Sequence, residues 1–381
     1  MSHLDTQVLI VGAGPAGMST AIGLAQQEVD FTIIDALPEA QNTSRAAVIH
    51  AATLESVREL QIADALISRG LKVPFFRVRD RDQDLLRVEF SGLPAASPYA
   101  LMIPQDETEQ ILTDRLAAAG RRVDRLVRLT ELTRGRDHVV AACEGPKGEC
   151  VIRAQYIVGA DGMGSTVREQ SGIAFPGKTY GSFLLADVRM EWPLSRDEVS
   201  LFFSGEGTLV VAPMSQDRYR VVAQLEGATS IPTTDDVQAL IDERGPCRGV
   251  RIHELLWGSR FQVHHRLAAT FRDGPVLLVG DAAHVHSPAG GQGMNLGIRD
   301  AVALSTALGE SIRVGSDEPL DSYNETRRTA ATKVLAMTDR LTRLATIRSP
   351  AARWIRNHLI DAAGRSARVR AYAAQTLAGF A

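Results

Sequence analysis

The 381-residue chain is poor in several things, and each shortage removes a class of function. Only three cysteines occur, Cys143, Cys150 and Cys247, an odd number without CxxC spacing. That argues against a disulfide framework and a cysteine-rich metal site, and points to a reduced, cytoplasmic setting. Aromatic residues are 5% of the sequence, none interleave with a basic run, and the net charge is −3, so nucleic acid is not an expected partner. No apolar run approaches the ~18 residues that a membrane span needs. The opening MSHLDTQVLIV has no basic region ahead of its apolar residues, so no secretory signal is expected. Internal repeats and low-complexity tracts are also missing.

Against these shortages stand 32 glycines, and their placement is informative. Gln7–Val11 is a short β-branched run suited to a buried parallel strand. It leads into Gly12-Ala13-Gly14-Pro15-Ala16-Gly17, a GxGxxG turn, and then into helix-like Met18–Gln27. A second strand-like run, Phe31–Ile34, ends at Asp35, eighteen residues beyond Gly17. These parts together suit a dinucleotide. Gly12 allows the tight turn, Gly14 admits a pyrophosphate to the backbone, and Gly17 lets the helix close on the strand. The helix N-terminus attracts the phosphates, and Asp35 is placed for ribose hydroxyls.

Further along, Ala51–Leu66 and Asp106–Ala119 read as helices, and Lys72–Glu89 alternates like a hairpin. Val123–Leu132, His138–Cys143 and Tyr156–Gly159 read as strands. Between Thr179 and Val263 short alternating runs take over: Ser182–Val188, Val199–Phe203, Thr208–Pro213, Tyr219–Gln224 and Val250–Leu256. They predict an antiparallel sheet, with one helical insert at Thr234–Glu243. Parallel-strand texture returns at Val276–Gly280, followed by a Gly-rich loop and a helix through Leu308. The predicted class is α/β with an α+β insert. A Rossmann-like dinucleotide domain takes 1–72, 98–178 and 268–320, an antiparallel-sheet substrate domain takes 73–97 and 179–267, and a C-terminal helical segment takes 321–381.

Two more motifs join the first. One is Gly159-Ala160-Asp161-Gly162 with Ser165 and Arg168 after it. The other is Gly280-Asp281-Ala282-Ala283-His284, then Pro288 and Gly290-Gly291-Gln292-Gly293-Met294-Asn295. Asp281 follows a parallel strand, where open α/β sheets bind ligands. A glycine-rich loop there lets a flat ring lie on backbone, and the next helix turns its positive end toward it. In this order the three motifs resemble the single-component FAD-dependent aromatic hydroxylases, the family of para-hydroxybenzoate hydroxylase and of phenol and aromatic-polyketide hydroxylases. The chain looks like the compact form without a thioredoxin-like domain.

The resemblance implies FAD as cofactor and NADH or NADPH as a co-substrate that docks transiently, since there is one GxGxxG. It implies O₂ activation as a flavin C4a-hydroperoxide and hydroxylation of an aromatic small molecule. It carries roles for Arg45 beside the flavin and nicotinamide, Gln105 at the ribityl chain, Asp161 near the pyrophosphate, and Pro288 against the isoalloxazine. Met294 and Asn295 would give backbone N–H groups to the pyrimidine end, with Gly280, Asp281, Gly291 and Gly293 completing the cradle. Asp161 also reads as a helix N-cap.

Phe183, Leu185, Phe203, Val211, Pro213 and Met214, with Gln224 as polar anchor, are the candidate substrate pocket. Each is equally compatible with plain core. No residue stands out as a base for a phenol. The His264/His265 and His284/His286 pairs lack further ligands at metal spacing, so no metal is expected. Arg327–Arg370 holds eleven Lys/Arg against two Asp. It reads as helices covering the flavin domain with a solvated arginine face, or as a membrane-surface or subunit contact, the last giving a homodimer. A flavin-dependent halogenase and a non-catalytic flavin-binding module stay as alternatives, although the WxWxIP halogenase signature is missing.

Overall fold

In the computed structural model, residues 2–39, 46–135, 138–215, 217–225, 231–288 and 290–380 are described. Ser2–Val11 is the strand on which the first sheet is built. It pairs in parallel with Phe31–Asp35 on one side and Gly148–Gly159 on the other. Val276–Leu278 extends the parallel set beyond Gly148–Gly159, and Asp124–Arg125 extends it beyond Phe31–Asp35. Val8, Leu9 and Ile10 are fully buried, as expected for a central parallel strand covered on both faces. An antiparallel hairpin, Arg128–Arg134 and Val139–Gly145, joins the first half of Gly148–Gly159.

Helix Pro15–Gln26 packs against Gln105–Ala118 and Gln292–Val314 on this sheet. The expected single helix over Ala51–Leu66 is two, Ala51–Glu59 and Ala63–Arg69. Gln61, at φ 59°, breaks the run by taking a left-handed conformation that no helix interior accepts.

Among the described residues the second sheet has eight strands. In order across the sheet these are His284–Val285, Arg251–Leu267, Gly177–Glu191, Arg218–Leu225, Leu209–Pro213, Glu198–Phe202, Phe75–Asp80 and Gln83–Glu89. Arg251–Leu267 runs eleven residues past the expected end at Leu256, because its long ladder with Gly177–Glu191 holds the polar GSR and HHR segments in register. One face is closed by helix Thr234–Arg244, whose Val237 and Ile241 pack with Leu184, Val211, Val221 and Phe202. That helix begins with a capping box between Thr233 and Asp236. The other face looks toward the first sheet.

The C-terminal helices divide their allegiance. Glu318–Ala345 packs on Gln292–Val314, but Pro350–Gly364 and Ala367–Leu377 pack on strand Gln83–Glu89 of the second sheet, not over the dinucleotide unit as expected. Their arginines are not all solvated either. Asp80 accepts from Arg353 at 3.0 Å, Arg356 at 3.2 Å and Asn357 at 2.8 Å, and Arg356 is buried.

Removing one partner of a buried ionic cluster costs more than the cluster contributes, since the remaining charges stay desolvated. Asp80→Ala should therefore destabilise the protein by ~3–5 kcal/mol in urea unfolding, with early hydrogen exchange in Pro350–Gly364. A loss below ~1 kcal/mol would show that the cluster does not anchor this helix.

Candidate active site

The three motif loops meet because each ends a strand of one parallel ladder. Gly12 N donates to Ile34 O at 2.8 Å, Ala160 N to Val11 O at 2.8 Å, and Val279 N to Gly159 O at 3.0 Å. These bonds place all three loops at the C-terminal edge of the sheet, where such folds bind ligands. A cavity of about 720 Å³ opens there, lined by Gly12, Gly14, Asp35, Gln105, Asp161, Gly280, Asp281, Pro288, Gly291, Gly293 and Met294.

The glycines divide by what surrounds them. Gly12 has φ +101°, and a Cβ on it would lie 2.3 Å from Ala160 O. A Cβ on Gly17 would lie 2.0 Å from Gly12 O, so its hydrogen lets helix Pro15–Gln26 sit on the turn. Gly14 is different: apart from its own chain neighbours, nothing lies within 4 Å of its Cβ position. Its bareness serves whatever fills the cavity, and the free amides at the start of the helix face that space. The cradle thus fits a dinucleotide phosphate bridge.

Asp35 Oδ2 accepts from Ala13 N at 2.7 Å and Oδ1 from Leu37 N at 2.8 Å, which fixes the carboxylate beside the turn. Gln105 Oε1 accepts from Ala46 N at 3.2 Å, and its amide donates to Glu109 at 2.7 Å. Burial raises the Glu109 pKa, with the Gln105 bond working against it. Asp161 accepts from Ser165 Oγ at 2.5 Å and Val167 N at 3.2 Å. Burial nonetheless holds the pKa of Asp161 above the usual carboxylate range. Ser165 is the N-cap residue of helix Thr166–Gln170 and takes Arg168 N at 3.0 Å, while Asp161 takes the first-turn amide of Val167, so both side chains cap this helix. Arg168 ties the second motif to the third, donating to Ala282 O at 3.0 Å and Met163 O at 2.8 Å. His284 is wholly buried against Asp300 at 2.7 Å, and Asp300 also receives Arg327 at 2.6 Å.

Asn295 does not line the cavity. Its side chain staples the glycine loop instead, accepting from His50 N and donating to Val48 O and Gly291 O, all at 2.8 Å. With Gly291 as N-cap, Asn295 is the fourth helical residue, so its amide is spent inside the helix while those of Gln292, Gly293 and Met294 are the free ones. Arg45 lies outside the described residues.

The apolar half of the cavity lies on the second sheet. Leu185, Val210, Ala212 and Val222 line it, with Val199, Phe76 and Phe90 beyond. Of the seven expected pocket residues, only Leu185 is among them. Val211 has the opposite facing: it pairs with Val221 toward helix Thr234–Arg244. Phe183 shares the face of Leu185 but does not line the cavity; its ring stacks 6.4 Å from that of Phe261, which does. Phe203 and Met214 lie in the cluster behind Phe76, and neither Pro213 nor Gln224 lines the cavity.

Residues not expected from the sequence complete the lining. Arg220 sits where the two halves join, donating to both oxygens of Asp187 at 2.7 and 2.9 Å and to Ala46 O at 2.8 Å. Burial works to raise the pKa of Asp187, but Arg220 and Arg218 together hold it below the usual range. His50 donates from Nε2 to Gly290 O at 2.8 Å, and burial pulls its pKa down to about 4. No sequence signal marked Arg220, because its partner is thirty-three residues away across a strand pair.

The fold and the cavity together define a dinucleotide-binding α/β protein with an apolar chamber attached. Residues 5–338 match the family described as FAD binding domain, and the chain belongs to that family. It is 36% identical over 352 residues to 6-methylpretetramide 4-monooxygenase of Streptomyces rimosus, covering 91% of this chain and 63% of that protein. The chain thus spans under two thirds of that relative's length. The anhydrotetracycline hydroxylase OxyS from Streptomyces rimosus superposes with a TM-score of 0.81 at 31% identity, over 98% of this chain and 76% of that one. The fold is also that of p-nitrophenol 4-monooxygenase from Pseudomonas putida, with a TM-score of 0.89 at 24% identity over 100% and 99% of the two chains. Among the described residues, no helix is long and apolar enough to cross a membrane.

Two predictions separate fold from ligand. Gly12→Ala should cost at least ~2 kcal/mol in denaturant unfolding, from a forbidden φ and a backbone clash. Gly14→Ala should stay within ~1 kcal/mol of the parent yet weaken FAD binding about tenfold or more. Equal effects of the two on stability would contradict the assignment.

His50 sets a pH dependence. The unfolded imidazole titrates near 6.5, the folded one near 4, so between these values the unfolded chain holds more protons and stability is lost as pH is lowered. His50 alone should remove up to ~1.4 kcal/mol per pH unit in that window. His50→Gln, able to keep the bond to Gly290, should flatten the decline of Tm between pH 6.5 and 5. An unchanged slope would contradict the neutral buried state.

Proposed function

We propose that this chain is an FAD-dependent monooxygenase that uses NAD(P)H and O₂ to hydroxylate an aromatic small molecule of phenolic or polyketide type. One observation carries the reading: a single cavity has the three glycine motifs along one half and an apolar sheet face along the other. When bound, the flavin supplies electron transfer and O₂ activation. The protein supplies position and dryness.

In this reading Gly12, Gly14 and the first helix hold the pyrophosphate, and Asp35 takes ribose hydroxyls. Asp161 and Gln105 flank the dinucleotide. Asp281 and the loop from Pro288 to Met294 hold the ring end, where the positive end of Gln292–Val314 favours negative charge by about 0.3–1 kcal/mol. Leu185, Val210, Ala212 and Val222 exclude water from the reacting ring and orient it. The three cysteines are unpaired, which suits a reducing cytoplasm. The names of the relatives, a monooxygenase and a hydroxylase of tetracycline-type compounds, support oxygen insertion over halogenation.

Purified holoprotein should oxidise NADH or NADPH faster when a suitable phenol or polyketide is added, with product mass gaining one oxygen. Oxidation indifferent to every aromatic tested, with no oxygenated product, would overturn the reading.

A further inference from the structure

We propose that Leu377 is the end wall of the apolar chamber and sets the longest fused ring system that it admits. The proposal rests on the reading of this cavity as an aromatic-substrate site. Among the described residues, Leu377 is the one member of helix Ala367–Leu377 that lines the cavity. It is half-buried and packs with the cluster that contains Phe76, Val199, Ala212 and Ala374.

The helix end is held from three sides. Gln292 donates to Leu377 O at 3.0 Å, Ala52 N to Ala378 O at 3.0 Å, and Arg299 to Gly379 O. A side chain on so fixed a backbone is a wall and not a flap. Its buried neighbours along the chain, Ala374 and Ala378, are both small. No bulky residue of this helix would refill the space if Leu377 were cut back, so truncation leaves a cavity open to ligand.

The chemistry of this end also restricts its occupant. Phe76, Phe90, Val199, Val210 and Ala212 present carbon only. Arg220, a cation of the lining, donates to both oxygens of Asp187. An uncharged fused aromatic fits such a wall, whereas a carboxylate set against these carbon side chains would be desolvated.

The test measures equilibrium dissociation constants of phenol, 1-naphthol and 1-anthrol for FAD-loaded protein and for Leu377→Ala and Leu377→Phe. Flavin content and unfolding midpoint are checked for each. Leu377→Ala should improve 1-anthrol relative to phenol by about tenfold, and Leu377→Phe should worsen that ratio by about tenfold. The opposite signs keep the test decisive if one variant fails to fold. An unchanged ratio in every folded variant overturns the wall, as does binding of none of the three ligands. Size-dependent binding without oxygenated product upholds the wall while removing the hydroxylase reading.

Discussion

Everything in this molecule depends on three backbone hydrogen bonds at one edge of a parallel sheet. They run from Gly12 to Ile34, from Ala160 to Val11 and from Val279 to Gly159, at 2.8, 2.8 and 3.0 Å. Segments separated by well over a hundred residues are brought together because their strands are neighbours, not because their loops attract one another. Once the ladder is set, the loops have little freedom. Gly17 closes on the Gly12 carbonyl, and Gly280 sits so close to Ala16 that a Cβ would come within 2.9 Å. The cradle is therefore built by the same packing that stabilises the core.

Buried charge then locks the loops to one another. Arg168 bridges the second and third motifs through carbonyl oxygens, and the His284–Asp300–Arg327 chain fastens the third motif to the helices beneath it. Asn295 does the same for the glycine loop with its side chain. Such networks contribute modest net stability but make any single rupture expensive, because the groups left behind cannot reach water. They hold the loops in the geometry that a bound dinucleotide requires.

The parts legible in the sequence were those governed by local rules. GxGxxG between strand and helix, an acid after the second strand, and glycines beside Pro288 all state backbone requirements that few other residues meet. The facing of the second sheet was not legible. Leu209–Pro213 is apolar on both faces, one against helix Thr234–Arg244 and one against the chamber, so its alternation has no phase. A one-residue choice sends Val211 to the core or to the cavity, and only the register with Val221 decides. Arg220 with Asp187, and Leu377 from the last helix, were invisible for a related reason. Their partners are non-local, and no spacing rule connects them.

The central claim is that one dinucleotide is gripped by all three loops together. Hydrogen exchange of the chain before and after addition of FAD tests it most directly. The account predicts that amides following Gly12, Asp161 and Gly290 gain protection in parallel, saturating at one FAD per chain. Protection confined to the first loop, with the other two unchanged at saturation, would contradict it.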